Sequence, residues 1–316
     1  MLEKLTFIIS IEQVVIMFLL MGVGYLCSHL KILSRDTTKD LTSLLLYVIS
    51  PCLIVNAFLQ KFTWMRLKYF FIVFVTVIVL FVIAIMLGKI FFTQKNVTDP
   101  QKLTVLRYST SYSNAGFMGI PLVQAILGNL GVFFAVPYLV VFNMFMWTQG
   151  VGLFKRPKSL KYNIKSAILN PNSIASVVGL MIFVLQIPMP RLLGTALHHM
   201  TNLNTPLSMI VIGANLGVVK WSQLGNDRLV WKGVAVRNLV VPLIMLLILI
   251  WLPMNVTAMM TTLIMISCPV AGMVVLFSLL NEFELEFPTK LMCLSTVLSV
   301  ITLPLIILLA DILRHI

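Results

Sequence analysis

Long runs of apolar residues without charges are the feature that most constrains what this chain can fold into. Only 10% of the 316 residues are charged, whereas a soluble domain carries about 25%, and the charges cluster between the runs. A helix of about 20 apolar residues crosses the hydrocarbon core of a bilayer. The runs therefore predict transmembrane helices, and the charged clusters predict the loops between them.

Hydropathy predicts ten spans, and no stretch outside them is long enough to fold as a soluble domain. The predicted ranges are 6–28, 41–60, 67–92, 104–127, 132–153, 166–187, 192–219, 229–252, 256–280 and 288–312. The expected class is an all-α polytopic membrane protein whose main partner is the lipid bilayer.

The distribution of basic residues predicts the topology. The net charge is +13, and alternating the loops between two sides gives fourteen Lys and Arg to one side and six to the other. Because basic loops stay in the cytoplasm, we predict a multi-pass protein of the cell membrane with both termini outside the cytoplasm. No basic stripe lies on a soluble module, so nucleic-acid binding is not expected.

The basic loop 154–165 divides the chain into two parts, 1–153 and 166–316, of five spans each. An odd number of spans means that related halves must be inverted in the membrane. Weak internal similarity agrees, since Pro51 in the second span and Pro206 in the seventh lie 155 residues apart. We therefore predict two inverted five-helix repeats joined by a cytoplasmic linker.

The fourth and ninth spans carry the strongest signal for a binding site. The fourth contains Gly116, Gly119 and Pro121, and the ninth contains Pro269; glycine and proline disfavour a continuous helix. In lipid, broken backbone is tolerated only where protein or a water-lined cavity satisfies it. Discontinuous helices at corresponding positions of two inverted halves mark the binding site of a transporter. The alternative is a pair of packing kinks, because glycine and proline are common in membrane helices.

Helix ends give the chemical reason for a site there. Half-helices that begin near Pro121 and Pro269 would present unpaired N–H groups and a positive dipole end near the membrane midplane. Two such ends would bind an anion without a buried lysine. Asn114 would contact the ligand or satisfy the frayed carbonyl groups.

Several motifs resemble those of the auxin efflux carrier family, which includes plant auxin exporters and bacterial permeases for malate and malonate. The matching stretches are Asn114-Ala-Gly116-Phe-Met-Gly119-Ile-Pro121-Leu, Leu46-Tyr-Val-Ile-Ser-Pro51, Thr205-Pro206-Leu-Ser-Met-Ile-Val-Ile-Gly213-Ala, Trp147-Thr-Gln-Gly150 and Ser295-Thr-Val-Leu-Ser-Val-Ile-Thr-Leu-Pro304. The resemblance covers nearly the whole chain. The central loop has only about a dozen residues, so a compact bacterial-type member is implied.

The resemblance implies a fold like that of sodium/proton antiporters and bile-acid transporters, with crossed broken helices in spans four and nine. Spans one, two, six and seven would form a scaffold, usually dimeric, and spans three to five and eight to ten a transport domain that moves as an elevator. By motif match, the expected substrate-binding residues are Asn114, Gly116, Gly119, Pro121, Asn143 and Pro269.

Three polar residues inside the spans have two interpretations each. Arg237 has a functional charge or snorkels to the cytoplasmic interface. Glu12 couples protons or lies near an interface, and Asn143 contacts a ligand or forms a bond between helices. No cofactor or metal site is expected, since neither the four cysteines nor His198 and His199 have ligand spacing; coupling to H⁺ or Na⁺ stays open.

We therefore predict a secondary transporter for small organic acid anions, with malate or malonate as the first candidates. The alternative is a channel or a receptor-like protein on the same helical bundle. An enzyme is not expected, because the deep helices contain no pair of catalytic groups.

Overall fold

A computed structural model of the protein describes residues 2–154, 171–217 and 227–314, and within these ranges the secondary structure is helical, with no β-strand. The helices are α1 (Leu2–His29), α2 (Arg35–Leu44), α3 (Ser50–Phe58), α4 (Trp64–Phe91), α5 (Pro100–Ser111), α6 (Ile120–Phe145), α7 (Val151–Phe154), α8 (Pro171–Leu185), α9 (Arg191–Asn202), α10 (Asn204–Gly217), α11 (Arg228–Ala235), α12 (Val241–Leu249), α13 (Val256–Ser267), α14 (Met273–Leu280) and α15 (Glu286–Arg314).

The predicted class is confirmed, because several helices are long and apolar enough to cross a membrane. Six such segments occur in the described ranges: Glu12–His29, Asp36–Phe58, Trp64–Phe91, Ala115–Phe154, Arg228–Leu249 and Glu286–Arg314. Helical residues also lie inside each of the ten predicted ranges, although the count of ten spans and the inverted repeat stay predictions. Apart from its first residue, the predicted linker 154–165 lies outside the described residues.

The segment Ala115–Phe154 is too long for a single span, and a glycine divides it. Gly128 has φ 60° and ψ −158°, a conformation that residues with a Cβ rarely adopt. The helix therefore changes direction at Gly128. This break agrees with the predicted boundary between the fourth and fifth spans.

Side-chain caps set the starts of several helices. Ser34, Thr63, Asp99, Asp227 and Asn255 each accept a backbone N–H of the first turn that follows. Such residues satisfy donors that have no partner inside the helix.

Within the ranges that the structure describes, four helical turns have the wider π geometry, and three of them precede a proline. The turns Leu45–Ile49, Ala115–Gly119 and Val236–Val240 each end two residues before Pro51, Pro121 or Pro242, while Met146–Gly150 has no such proline. Proline cannot donate the usual bond to the carbonyl four residues earlier. The neighbouring amide bonds one residue further back instead, as Ile120 N–H does to the carbonyl of Ala115.

Glycines allow two pairs of helices to pack closely. A Cβ at Gly24 of α1 would lie 2.1 Å from the carbonyl oxygen of Ile210, and one at Gly213 of α10 would lie 1.9 Å from that of Met21. In the same way, the ring of Phe58 in α3 occupies the space that a side chain at Gly179 of α8 would need. Small residues let backbones approach closely in membrane proteins, so α1 packs along α10, and α8 packs on α3.

Candidate functional site

The site is built where two interrupted helices cross. α5 ends at Ser111 and α13 at Ser267, and the extended segments that follow pair in antiparallel fashion, with Ser113 opposite Val270. Asn114 N–H donates to the carbonyl of Pro269 at 2.7 Å, and Ala271 N–H donates to that of Tyr112 at 3.1 Å. Each break therefore supplies hydrogen-bond partners that the other lacks, as backbone at membrane depth requires.

The two breaks lie differently with respect to the prolines that predict them. In the fourth predicted span the helix resumes at Ala115, six residues before Pro121, and in the ninth it resumes at Met273, after Pro269. The half-helix expected near Pro121 therefore starts six residues earlier, as a π turn that passes into α6 at Ile120, and the half-helix expected near Pro269 starts four residues after that proline. Pro121 widens a turn that has already begun, and Pro269 lies within the extended crossing segment, where a fixed φ suits it.

Hydroxyl groups hold the crossing segments in place. Ser113 Oγ bonds the hydroxyl of Tyr138 at 3.0 Å and donates to the carbonyl of Met265 at 2.9 Å. On the other segment, Val270 N–H donates to Ser295 Oγ at 3.0 Å, and Ser295 Oγ donates to the amide oxygen of Asn238 at 2.6 Å. Because these groups are buried and paired, the crossing is a rigid part of the molecule.

Arg237 lies between the carboxyl ends of the two interrupted helices. Its Nη1 donates to the carbonyl of Thr110 in α5 at 2.9 Å. Its Nε and Nη2 donate to the carbonyl of Cys268, at 3.1 and 2.9 Å, and Nη2 also donates to that of Ile266. The side chain is 0% exposed, so the alternative of snorkelling to the interface is wrong. One guanidinium group thus satisfies carbonyls at two helix ends, where a cation is favourable.

The charge balance at the crossing is positive. Arg237 offsets the negative ends of α5 and α13, and in the described part of the chain it forms no ion pair with a carboxylate. The positive ends of the helices that resume at Ala115 and Met273 have no acidic residue in their first turns. An arrangement with one buried cation and two helix amino ends favours an anion.

A small cavity opens beside the crossing. The residues that line it are Leu45, Leu46, Ser50, Gly116, Phe117, Ile120, Leu139, Asn172 and Asn204. Its volume of about 30 Å³ is enough for a water molecule but not for a larger organic molecule. The cavity lies between α6 and the turn before it on one side, and α3, α8 and α10 on the other.

The two glycines of the predicted site have different surroundings. Gly116 lines the cavity, is exposed, and has no atom within 4 Å of an added Cβ. Gly119 is buried, and a Cβ there would lie 2.8 Å from the sulfur of Met265 and 3.2 Å from that of Cys268. The missing side chain of Gly116 therefore leaves space in the cavity, whereas that of Gly119 leaves space for α13.

The remaining predicted residues are distributed unevenly. Asn114 begins the turn that leads to the cavity, and Asn143 lies one turn beyond the cavity residue Leu139 on the same face of α6. Asn143 is buried and Asn114 half-buried, and both interpretations of Asn143 stay predictions. Glu12 is exposed on α1 and forms no part of the crossing.

Sequence reasoning missed the polar residues that face Gly116 across the cavity. Ser50 lies immediately before Pro51, and Asn204 lies two residues before Pro206. The alignment of those two prolines is the available signal, but it does not distinguish Ser50 and Asn204 from the other polar residues of these spans.

Comparison with known proteins agrees with this architecture. A family model described as "Membrane transport protein" matches residues 9–307. An archaeal protein from Methanothermobacter thermautotrophicus, described as an uncharacterized transporter, is 22% identical over 94% of this chain and 97% of its own length. The chain is thus a multi-pass membrane transporter. It belongs to the auxin efflux carrier family of membrane transport proteins, as its motifs predict, and a family of transporters agrees with the expectation that it is not an enzyme.

Proposed function

We propose that the protein is a secondary carrier of small organic acid anions, such as malate or malonate, and that the anion binds at the helix crossing. The observation that carries this proposal is the buried Arg237, which lies between the carboxyl ends of the two interrupted helices and forms no ion pair with a carboxylate among the described residues. The positive charge of Arg237 attracts an anion. Because the guanidinium already donates its hydrogen bonds to carbonyl groups, the donors left for the ligand are the backbone amides near Gly116. Asn114 and Asn143 supply side-chain amides close by.

We further propose that the cavity separates a scaffold from a moving transport domain. The scaffold comprises α1 to α3 and α8 to α10, and the transport domain comprises α4 to α7 and α11 to α15. Close packing of α1 on α10 and of α8 on α3 supports two inverted repeats, because each repeat's first helix contacts the other repeat's second. The reciprocal bonds of the crossing support the same symmetry. The scaffold would also form the homodimer contact.

The small size of the cavity supports a carrier rather than a channel. A channel or receptor-like bundle is the second candidate, and a channel would need a continuous polar pore. The cavity beside the crossing is lined largely by apolar side chains and has about 30 Å³ of space. A substrate reaches it when the two domains separate, which is the behaviour of an alternating carrier.

A thermal-stability screen tests the proposal. Purified protein is melted with malate, malonate and neutral amino acids, with and without Na⁺ and at two pH values. Carboxylates should raise the melting temperature through preferential binding to the folded state. Asn114→Ala and Gly116→Val should remove this effect, because one loses an amide and the other fills the cavity with a side chain.

Gly152→Val is the matched control, since an added Cβ at Gly152 also meets no atom within 4 Å and the residue lies in α7. It should keep the carboxylate response of the wild type. If reconstituted protein moved neutral amino acids but no carboxylate, the proposed substrate class would be wrong. Ion flux too fast for an alternating cycle would favour the channel.

A further inference from the structure

The cavity beside the crossing has a buried donor on the side opposite Gly116. Asn204 at the start of α10 lines it and is only 4% exposed. Its side-chain nitrogen is buried and has no hydrogen-bond partner among the described residues. Buried polar groups are nearly always paired, and an unpaired one requires an explanation such as a water or a ligand.

The surroundings of this donor are apolar. Leu45, Ile49 and Val211 form a small buried cluster, against which Phe117 and Leu207 pack. Leu45 and Phe117 also line the cavity. In such a poorly hydrated place, a hydrogen bond from the Asn204 amide to a ligand is stronger than it would be in water.

Other polar residues line the same side of the cavity as Asn204. Ser50 of α3 and Asn172 of α8 line the cavity together with Asn204, whereas the residues of α6 and its preceding turn are glycine and apolar side chains. The two sides therefore offer different chemistry. One side has backbone amides and the field of Arg237, and the other has neutral side chains that hydrogen-bond.

We propose that Asn204 binds the far end of the substrate while its carboxylate lies at the crossing near Gly116. The substrate class is then a short carboxylate with a second acceptor at its other end, such as a dicarboxylate or a terminal hydroxy acid, rather than one with an apolar tail. This inference rests on the proposed function, and it assigns selectivity to a residue of the scaffold.

Three probes with the same number of carbons test the inference. Binding of malonate, 3-hydroxypropionate and propionate is measured on the purified full chain by thermal shift and by competition. Asn204→Leu keeps the size of the side chain but removes the amide. The affinity for malonate and 3-hydroxypropionate should therefore fall about tenfold, while the affinity for propionate stays within about threefold of the wild-type value. Asn204→Asp is nearly isosteric. It should lower the affinity for malonate more than the affinity for propionate, because the new side-chain carboxylate repels the malonate dianion.

Asn215→Leu is the matched control, since Asn215 is exposed on the same helix and should change none of the three affinities. Equal weakening of all three probes by both Asn204 variants would overturn the inference, because it would mean that Asn204 only supports the fold. Unchanged affinities would overturn it as well. A wild type that neither binds nor transports any carboxylate would overturn the proposed function and this inference with it.

Discussion

At the scale of single residues, Arg237 combines a structural and an electrostatic role. A charge inside a membrane protein is expensive unless it is paired, and here its partners are the carbonyls of Thr110, Ile266 and Cys268. These carbonyls lie at the ends of two helices that would otherwise be frayed and negative. The guanidinium therefore stabilises the break that makes the site and at the same time gives it a positive field.

We expect Arg237→Gln and Arg237→Lys to separate these two roles. Both variants lose the planar guanidinium that bonds several carbonyls. The free energy of unfolding should therefore fall by roughly 3 kcal/mol in both. Lys keeps the charge and Gln does not, so carboxylate affinity should be about tenfold lower in Arg237→Gln than in Arg237→Lys. Melting in detergent and ligand titration measure the two effects.

Arg107→Gln is a suitable comparison, because Arg107 donates to a single carbonyl, that of Phe92, at 3.0 Å. It should cost less stability and leave carboxylate affinity unchanged. Equal affinities in the Gln and Lys variants of Arg237 would show that its charge does not act on the ligand.

The sequence predicts such residues unequally. Arg237 stands out because it is a charge well inside an apolar run. The sequence alone leaves burial and snorkelling open, since its partners are backbone atoms far along the chain. The alignment of Pro51 with Pro206 points to the region of Asn204, but an asparagine at the start of a helix is common and does not by itself indicate a binding residue. Only the three-dimensional arrangement shows that its side-chain nitrogen is buried and has no hydrogen-bond partner among the described residues.

At the scale of elements, proline and glycine affect the helices through different mechanisms. The existence of breaks in the fourth and ninth predicted spans follows from composition. The ninth break includes Pro269, but the fourth lies several residues before Pro121. Pro121 and Pro242 widen turns without ending the helix, because the neighbouring amides bond one residue further back. The chain leaves the helix instead at Ser111 and Ser267, where the opposite segment offers hydrogen-bond partners. The pairing decides the position of the break.

The close contact of α1 with α10 gives a prediction at this scale. In Gly213→Ala the new methyl group would lie 1.9 Å from the carbonyl oxygen of Met21, so the two helices must move apart. We expect a loss of about 1–3 kcal/mol, measured as a lower melting temperature. Gly22→Ala on α1 meets no atom within 4 Å and should retain the stability of the wild type. Equal melting of both variants would contradict close packing.

At the scale of the whole molecule, the membrane class follows from hydropathy alone, and the family follows from the order of its motifs. The sequence does not predict how the two proposed domains contact each other. Their contact depends on apolar side chains, which are common in every span and so do not indicate a partner. Leu45 and Phe117 belong to one small cluster, yet nothing in their sequence positions links them. That cluster is where a movement of the transport domain past the scaffold would first break contacts.

Cross-linking across this cluster tests the elevator movement. With Cys27 and Cys52 replaced by serine, Leu45→Cys and Phe117→Cys are joined by a short thiol-specific reagent that is cleaved by reduction. Because the bridge ties the scaffold to the transport domain, substrate uptake into proteoliposomes should stop and return after reduction. Leu45→Cys with Val211→Cys bridges two scaffold helices in the same cluster, and uptake should continue. Uptake through the first bridged protein would mean that the substrate crosses without relative movement of the domains, as in a channel.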